Sequence, residues 1–211
     1  FEFAKENHPL RKEYMQAYHA CVSFIDAQLG LVMDSLKKEG IWGDTIIIFT
    51  SDHGYHLGDH FIWGKVTLFD IGAKVPFIVR APGLSKSGTA SEAMVELIDI
   101  YPTLADLAGL QAPGHLQGIS LRPLLGHPER LGKRKYAYSV VTRGSKDFGY
   151  ALRNQNWRYG KWPNGEELYN LRTDPQEKNN LAQKDHLKER LEQFREILSV
   201  KQENVRKLTK N

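Results

Sequence analysis

Cysteine is almost absent from this sequence. The 211 residues contain one, Cys21, so no disulfide can form within the chain and the redox compartment cannot be read from it. Lying between Ala20 and Val22 in a helical pattern, Cys21 is expected to be a small buried hydrophobe rather than a nucleophile. No stretch is long and apolar enough to cross a bilayer as a helix. The opening residues FEFAKENHPL lack both the basic start and the apolar run of a signal peptide. No charge of one sign dominates: 29 basic residues face 25 acidic ones for a net +4. The modest basic excess near the C-terminus reads as solvated helix surface, not as a nucleic-acid or membrane tract. Internal repeats and low-complexity tracts are missing too. The chain does not begin with methionine, and the expectation is that it is the later part of something longer.

What is present is an ordinary globular composition, 41% hydrophobic and 26% charged, with enough apolar content for a core. From Pro9 to Glu39, Tyr14, Tyr18, Cys21, Val22, Ile25, Leu29, Val32, Met33 and Leu36 recur at three- and four-residue intervals. That spacing predicts one long amphipathic helix closed by a left-handed Gly40. TIIIFT then reads as a strand buried in a mostly parallel sheet, and VPFIVRAPG as a second, stopped by Pro82 and Gly83. SEAMVELIDIYPTLADLAGL carries helical spacing interrupted at Pro102 and ending at Gly109. Strands alternating with helices argue for a layered α/β domain.

The pattern changes after about Gly126. YAYSVV, GYALRN, WRYGKW and ELYNL are short β-like runs separated by turn chemistry, which predicts an antiparallel meander. Leu187, Leu191, Phe194 and Leu198 then fall on one stripe of a final helix. NWRYGKW mixes aromatic and basic residues, and the expectation is that Trp157, Tyr159 and Trp162 pack between the sheet and that helix.

The chemistry concentrates in IIIFTSDHGYHLGDHFIWGK. In open α/β sheets ligands bind beyond the carboxyl ends of the strands, and here a buried strand delivers Asp52 and His53 to that end. A carboxylate beside an imidazole suits a divalent cation, although two adjacent residues cannot complete a coordination sphere, and a turn-capping Asp52 with a loop His53 is the plainer alternative. His56, Asp59, His60 and Lys65 follow in the same loop. Lys65 comes after Ile62–Gly64, so its stem can lie on apolar surface while its ammonium binds an oxyanion or protonates a leaving oxygen. That company suits an anionic ester better than a neutral ligand.

FTSDHGYHLGDHFIWGK followed by TLFDIGAKVPFIVRAPG resembles the sulfatase family of the alkaline phosphatase superfamily, most of all its iduronate-2-sulfatase branch and bacterial relatives. YHACVSFIDAQLGLVMDSL, ELIDIYPTLADLAGL, LQGISLRPLL and RYGKWPNGEELYNLRTDPQEKNNL extend the likeness over essentially the whole chain. The resemblance implies the C-terminal part of an alkaline-phosphatase-like α/β/α sandwich, residues 1–128, followed by an antiparallel subdomain with a C-terminal helix, residues 129–211. It also implies that Asp52 and His53 ligate a divalent cation, usually calcium, that Lys65 contacts the sulfate, and that His60 and Trp63 lie beside the substrate. The family's nucleophile is a formylglycine made within Cys/Ser-x-Pro/Ala-x-Arg, a motif absent from these 211 residues; Cys21, followed by VSF, does not fit it.

The expected partners are therefore a sulfated saccharide or other sulfate ester and the N-terminal part of the same sulfatase, with no nucleic acid and no membrane span. The chain alone is expected to be inactive, and the family suggests a periplasmic, secreted or lysosomal location. Two rivals stand beside this reading: a phosphonate monoester hydrolase or phosphodiesterase of the same superfamily, and a non-catalytic binding subunit.

Overall fold

A computed structural model describes residues 9–144 and 147–208. These form two compact units, one running up to Lys65 and including Lys74–Ser85, the other made of Val66–Ala73 and the residues from Lys86 onward. Residues 86–128 thus group with the meander, although their pattern is that of the preceding α/β segment.

In the first unit, α1 spans Leu10–Lys38 and ends as its sequence requires. Gly40 adopts a φ of 72°, its amide bonds the Lys37 carbonyl and that of Ile41 bonds the Leu36 carbonyl. This Schellman closure needs a residue without a Cβ penalty in the left-handed region. No residue of α1 is buried; Val22, Ile25 and Val32 stand exposed, and so does Cys21, contrary to the expectation of a buried thiol. Helical periodicity identifies an apolar stripe, but whether that stripe is covered depends on what packs against it.

The strand β1, Ile47–Thr50, pairs with β4, Phe77–Arg80, in antiparallel register from Ile47 opposite Arg80 to Thr50 opposite Phe77. The expected parallel pairing is therefore corrected for these two strands. A parallel pair needs a crossover that carries the chain back to the starting end. Here the intervening residues form a small antiparallel hairpin, β2 (His56–Leu57) with β3 (Trp63–Gly64), and one short helix, α2 (Asp70–Ala73), so the chain re-enters beside the end it left. All four residues of β1 are only half-buried, and Ile78 of β4 is exposed.

In the second unit, a 3-10 turn at Leu97–Asp99 leads into α3, Ile100–Leu107; Pro102 sits in its first turn, where a missing amide costs nothing. Gly109, at φ 70°, closes it with a second Schellman pair, Leu110 bonding the Ala105 carbonyl. Asp99 is fully buried and its carboxylate accepts from the amides of Glu96 and Ile119 and from Arg134. Arg134 also bridges to Glu96, whose other oxygen takes the Tyr138 amide. The chain before α4 (Arg122–Gly126) is drawn so close that a Cβ on Gly118 would lie 2.0 Å from the Ile98 carbonyl oxygen. That contact is the physical reason for glycine in LQGISLRPLL.

The meander follows in spatial order: β5 (Ala137–Arg143), β6 (Asp147–Arg153), β7 (Trp157–Trp162) and β8 (Gly165–Asn170). Strand alternation gives its two faces different work. On one, Leu152, Tyr159 and Leu168 pack against Leu191, Phe194 and Leu198 of α5 (Lys188–Leu208), with Trp157 and Leu187 at the margin; Tyr159 stacks on Phe194 at 5.6 Å. On the other, Arg158 is 1% exposed and lies between the rings of Phe69 and Tyr169, 4.9 and 4.7 Å away. Its Nε donates to Glu177 and its Nη1 to Glu167 at 3.0 Å. Glu177 in turn accepts the Asp70 amide at 2.6 Å, while Asp70 pairs with Arg153. Burial pushes the Glu177 carboxyl up, opposed by the Arg158 guanidinium. Trp162, expected between sheet and helix, instead lies against Gly149 on this second face, where a Cβ would come within 2.5 Å of its ring. Among the described residues no helix is long and apolar enough to cross a membrane.

Candidate functional site

Two residues beyond the end of β1, the chain turns so that Asp52 and His53 face one another. Asp52 Oδ1 accepts the His53 amide at 3.1 Å, and the Ser51 hydroxyl donates to the His53 carbonyl at 2.8 Å. His53 Nδ1 lies 2.8 Å from the Gly54 carbonyl oxygen. A carbonyl only accepts, so Nδ1 carries a proton, and in the neutral ring the lone pair is then on Nε2. Nε2 sits 3.5 Å from Asp52 Oδ2. Two ligands bound at about 2.4 Å and at right angles are about 3.4 Å apart, so both atoms fit one cation. An Nδ1–H anchored on a backbone carbonyl is also the arrangement that commonly orients metal-ligating histidines in general. The Asp52 side chain is 84% exposed, so its charge is not neutralised by the surrounding protein. Among the described residues no group of three or more His, Cys, Asp or Glu could enclose an ion, so these two atoms alone do not make a complete coordination sphere.

The loop after them is strained. Gly58 has φ 111°, and His60, Phe61 and Val66 adopt φ of 54°, 59° and 66°. A β-branched valine in the left-handed region is a genuine outlier, and such strain gathers where surrounding structure holds a loop for a purpose. Gly58 is fixed by shape as well: a Cβ there would meet the Trp63 ring at 3.1 Å. Trp63 is 6% exposed, edge-on to Tyr14 at 5.4 Å with Arg11 at 5.3 Å. His56 is fully buried, its Nδ1 3.2 Å from the Asp59 carbonyl and its ring 6.0 Å from that of His60. Burial pushes the His56 imidazole below its ordinary value. Tyr55 bonds Tyr14, and this contact with burial pushes its phenol up to about 12.

The structure therefore brings Asp52 and His53 together, seats His60 on the same strained loop, and puts Trp63 under that loop as its floor. Lys65 follows β3 on the surface and makes no hydrogen bond or ion pair with the described residues. Phe61, 80% exposed beside His60, is the residue that sequence reasoning passed over. Its left-handed backbone had no signal, because neither Phe nor Val normally occupies that region.

Comparison with known proteins follows the same motifs. The family model described as Sulfatase matches residues 2–110, and that of the N-sulphoglucosamine sulphohydrolase C-terminal region matches residues 58–204. The chain belongs to the sulfatase family. A sulfatase of Formosa agariphila is 37% identical over 188 residues, covering 89% of this chain and 36% of that protein. A solved enzyme in complex with its substrate, D-glucosamine-2-N,6-O-disulfate, matches with a TM-score of 0.86 at 30% identity, over 92% of this chain and 41% of its own. The phosphonate monoester hydrolase of Agrobacterium radiobacter matches with a TM-score of 0.79 at 31% identity, over 86% and 40%. The expected fold, part of an alkaline-phosphatase-like α/β/α sandwich with an antiparallel subdomain and C-terminal helix, is thus the one observed. The chain spans little more than a third of the length of the relatives it matches.

Proposed function

We propose that this chain is the C-terminal part of a sulfatase that hydrolyses sulfate esters of sugars, and that Asp52 and His53 are two of the ligands of its divalent cation. The observation that carries the reading is the 3.5 Å approach of Asp52 Oδ2 to a His53 Nε2 whose opposite nitrogen is anchored on the Gly54 carbonyl. The carboxylate and the half-exposed setting favour calcium. Held by Asp52 and His53, such a cation would polarise the sulfate oxygens and a formylglycine nucleophile, whose motif is absent from these 211 residues. Lys65, exposed and without a carboxylate partner among the described residues, offers its ammonium to the sulfate and to charge on the leaving oxygen. His60 borders the substrate from the strained loop, and Trp63 positions that loop from below.

The sugar class follows the solved relative bound to a disulfated glucosamine; the iduronate-2-sulfatase branch is the narrower reading, supported by the motif around Asp52–Lys65. The N-terminal part of the same sulfatase is the proposed partner. It would contribute the remaining ligands and cover the apolar faces that α1 and β4 expose. Separated from it, the chain would be inactive. The phosphonate monoester hydrolase neighbour favours one alternative, a hydrolase of the same superfamily acting on phosphorus esters. Assaying the full-length protein on sulfated saccharides, 4-nitrophenyl sulfate and a phenyl phosphonate monoester separates the two. Sulfate release that dominates by at least tenfold supports the sulfatase reading, and dominant phosphonate hydrolysis overturns it.

A further inference from the structure

The second unit holds a cavity of about 940 Å³ whose lining includes none of the candidate-site residues Asp52, His53, His60, Trp63 and Lys65. It lies where the β6–β7 turn meets the chain leaving β8, the end of the sheet opposite its β5–β6 and β7–β8 hairpins. Every charged side chain among those lining it is an arginine or lysine: Arg134, Lys135, Arg172 and Arg190. Arg134 is neutralised by Glu96 and Asp99. The other three are exposed and have no carboxylate partner among the described residues.

Arg122, Arg153, Arg158 and Arg195 of this unit pair with carboxylates, whereas no carboxylate is among the residues lining this concavity. Three uncompensated cations around one concavity repel one another, and an anion relieves that repulsion. The neutral lining also favours anions. Asn154 uses its carbonyl oxygen on the amides of Asn156 and Trp157, and Asn170 uses its own on the amide of Arg172. Both amides are thereby oriented, and both keep their NH2 groups as donors. Trp157 forms an aromatic wall with the Arg190 guanidinium 4.5 Å from its ring centre, which holds that cation at the cavity.

We infer that this cavity is a second binding site for a sulfated oligosaccharide, lined by none of the residues around Asp52. Its volume suits a few sugar rings; three cations answer sulfate or carboxylate groups, and the amides answer hydroxyls. Such a site would hold a polymeric substrate to the enzyme independently of turnover and raise its effective concentration at the reacting end. The choice of a sulfated saccharide over other polyanions rests on the proposed function; the cationic site itself does not.

The test is calorimetric binding of a heparin-type tetrasaccharide to the full-length protein, made in an Asp52→Ala background so that nothing is hydrolysed. Adding Lys135→Glu and Arg172→Glu is expected to weaken binding at least tenfold, while in the otherwise wild-type enzyme the same pair leaves kcat/KM on 4-nitrophenyl sulfate unchanged. Both positions are exposed and unpaired, so thermal melting should not move; Arg172→Gln alone, with a loss of about threefold, serves if the double variant folds poorly. Unchanged tetrasaccharide affinity overturns the site. Tripolyphosphate binding as tightly, and lost in the same variant, overturns the saccharide class. Absence of any activity on 4-nitrophenyl sulfate by the wild-type enzyme counts against the sulfatase reading and leaves the binding result to stand or fall alone.

Discussion

The two units solve the problem of burial in opposite ways. In the second, the meander and α5 close a core of their own, where Leu152, Tyr159 and Leu168 meet Leu191, Phe194 and Leu198, although Tyr101, Leu110 and Leu131 of that unit stay exposed; its buried Arg158 pairs with Glu177 and Glu167. The first carries the candidate ligands on elements that are half-covered, with no buried residue in α1 and only partial burial along β1. Apolar surface left in water contributes none of its roughly 25 cal/mol per Å². The lesson is that the closed core and the candidate ligands are housed separately: the meander and α5 hold the first, and the second precede a loop of strained backbone.

The comparison breaks most sharply if the buried ion pair is cut. Glu177→Gln leaves Arg158 charged and inside the protein, and a loss of about 3–5 kcal/mol is expected from denaturant titration; a loss below 1 kcal/mol would mean that water reaches the guanidinium. Gly118→Ala should come next, at about 3 kcal/mol, because its methyl would meet the Ile98 carbonyl and the backbone there is held by Asp99.

A pH experiment sharpens the picture in the same unit. Glu166 is held down to about 2 by hydrogen bonds from Arg195, then from Tyr159 and Lys161. A carboxyl lowered on folding stabilises above its ordinary value near 4.5 and loses that contribution as pH falls toward 2. Glu166→Gln should therefore cost about 2 kcal/mol at pH 6, with the gap to the parent closing by pH 2. A gap independent of pH would assign the effect to packing.

The smallest expected effect on stability is at the site. Lys65→Ala removes an exposed side chain without a partner among the described residues, so melting should shift by less than about 0.5 kcal/mol, while turnover of sulfate esters by the full-length enzyme falls by orders of magnitude. Normal turnover would return Lys65 to the solvated surface.

How much of this was legible in the sequence also divides along the two units. The meander was readable almost strand by strand, because its alternation and turn residues are local, and Leu187, Leu191, Phe194 and Leu198 marked the covering helix. Arg158 was not legible as a buried charge: its partners come from Phe69, Glu167, Tyr169 and Glu177, brought together only by the fold. In the first unit the order of elements was plain, but pairing direction was not, since a run such as IIIFT suits either kind of neighbour. Asp52 and His53 stood out by type and by place after a strand. Their mutual approach, the left-handed Phe61 and Val66, and the burial of Trp63 needed coordinates.

The central claim is that Asp52 and His53 share one cation, and calcium titration of the full-length protein by calorimetry tests it directly. The account predicts one tight calcium site in the wild type, weakened at least a hundredfold in Asp52→Ala with its melting temperature in the presence of chelator unchanged. Equal calcium affinity in the two proteins would contradict it.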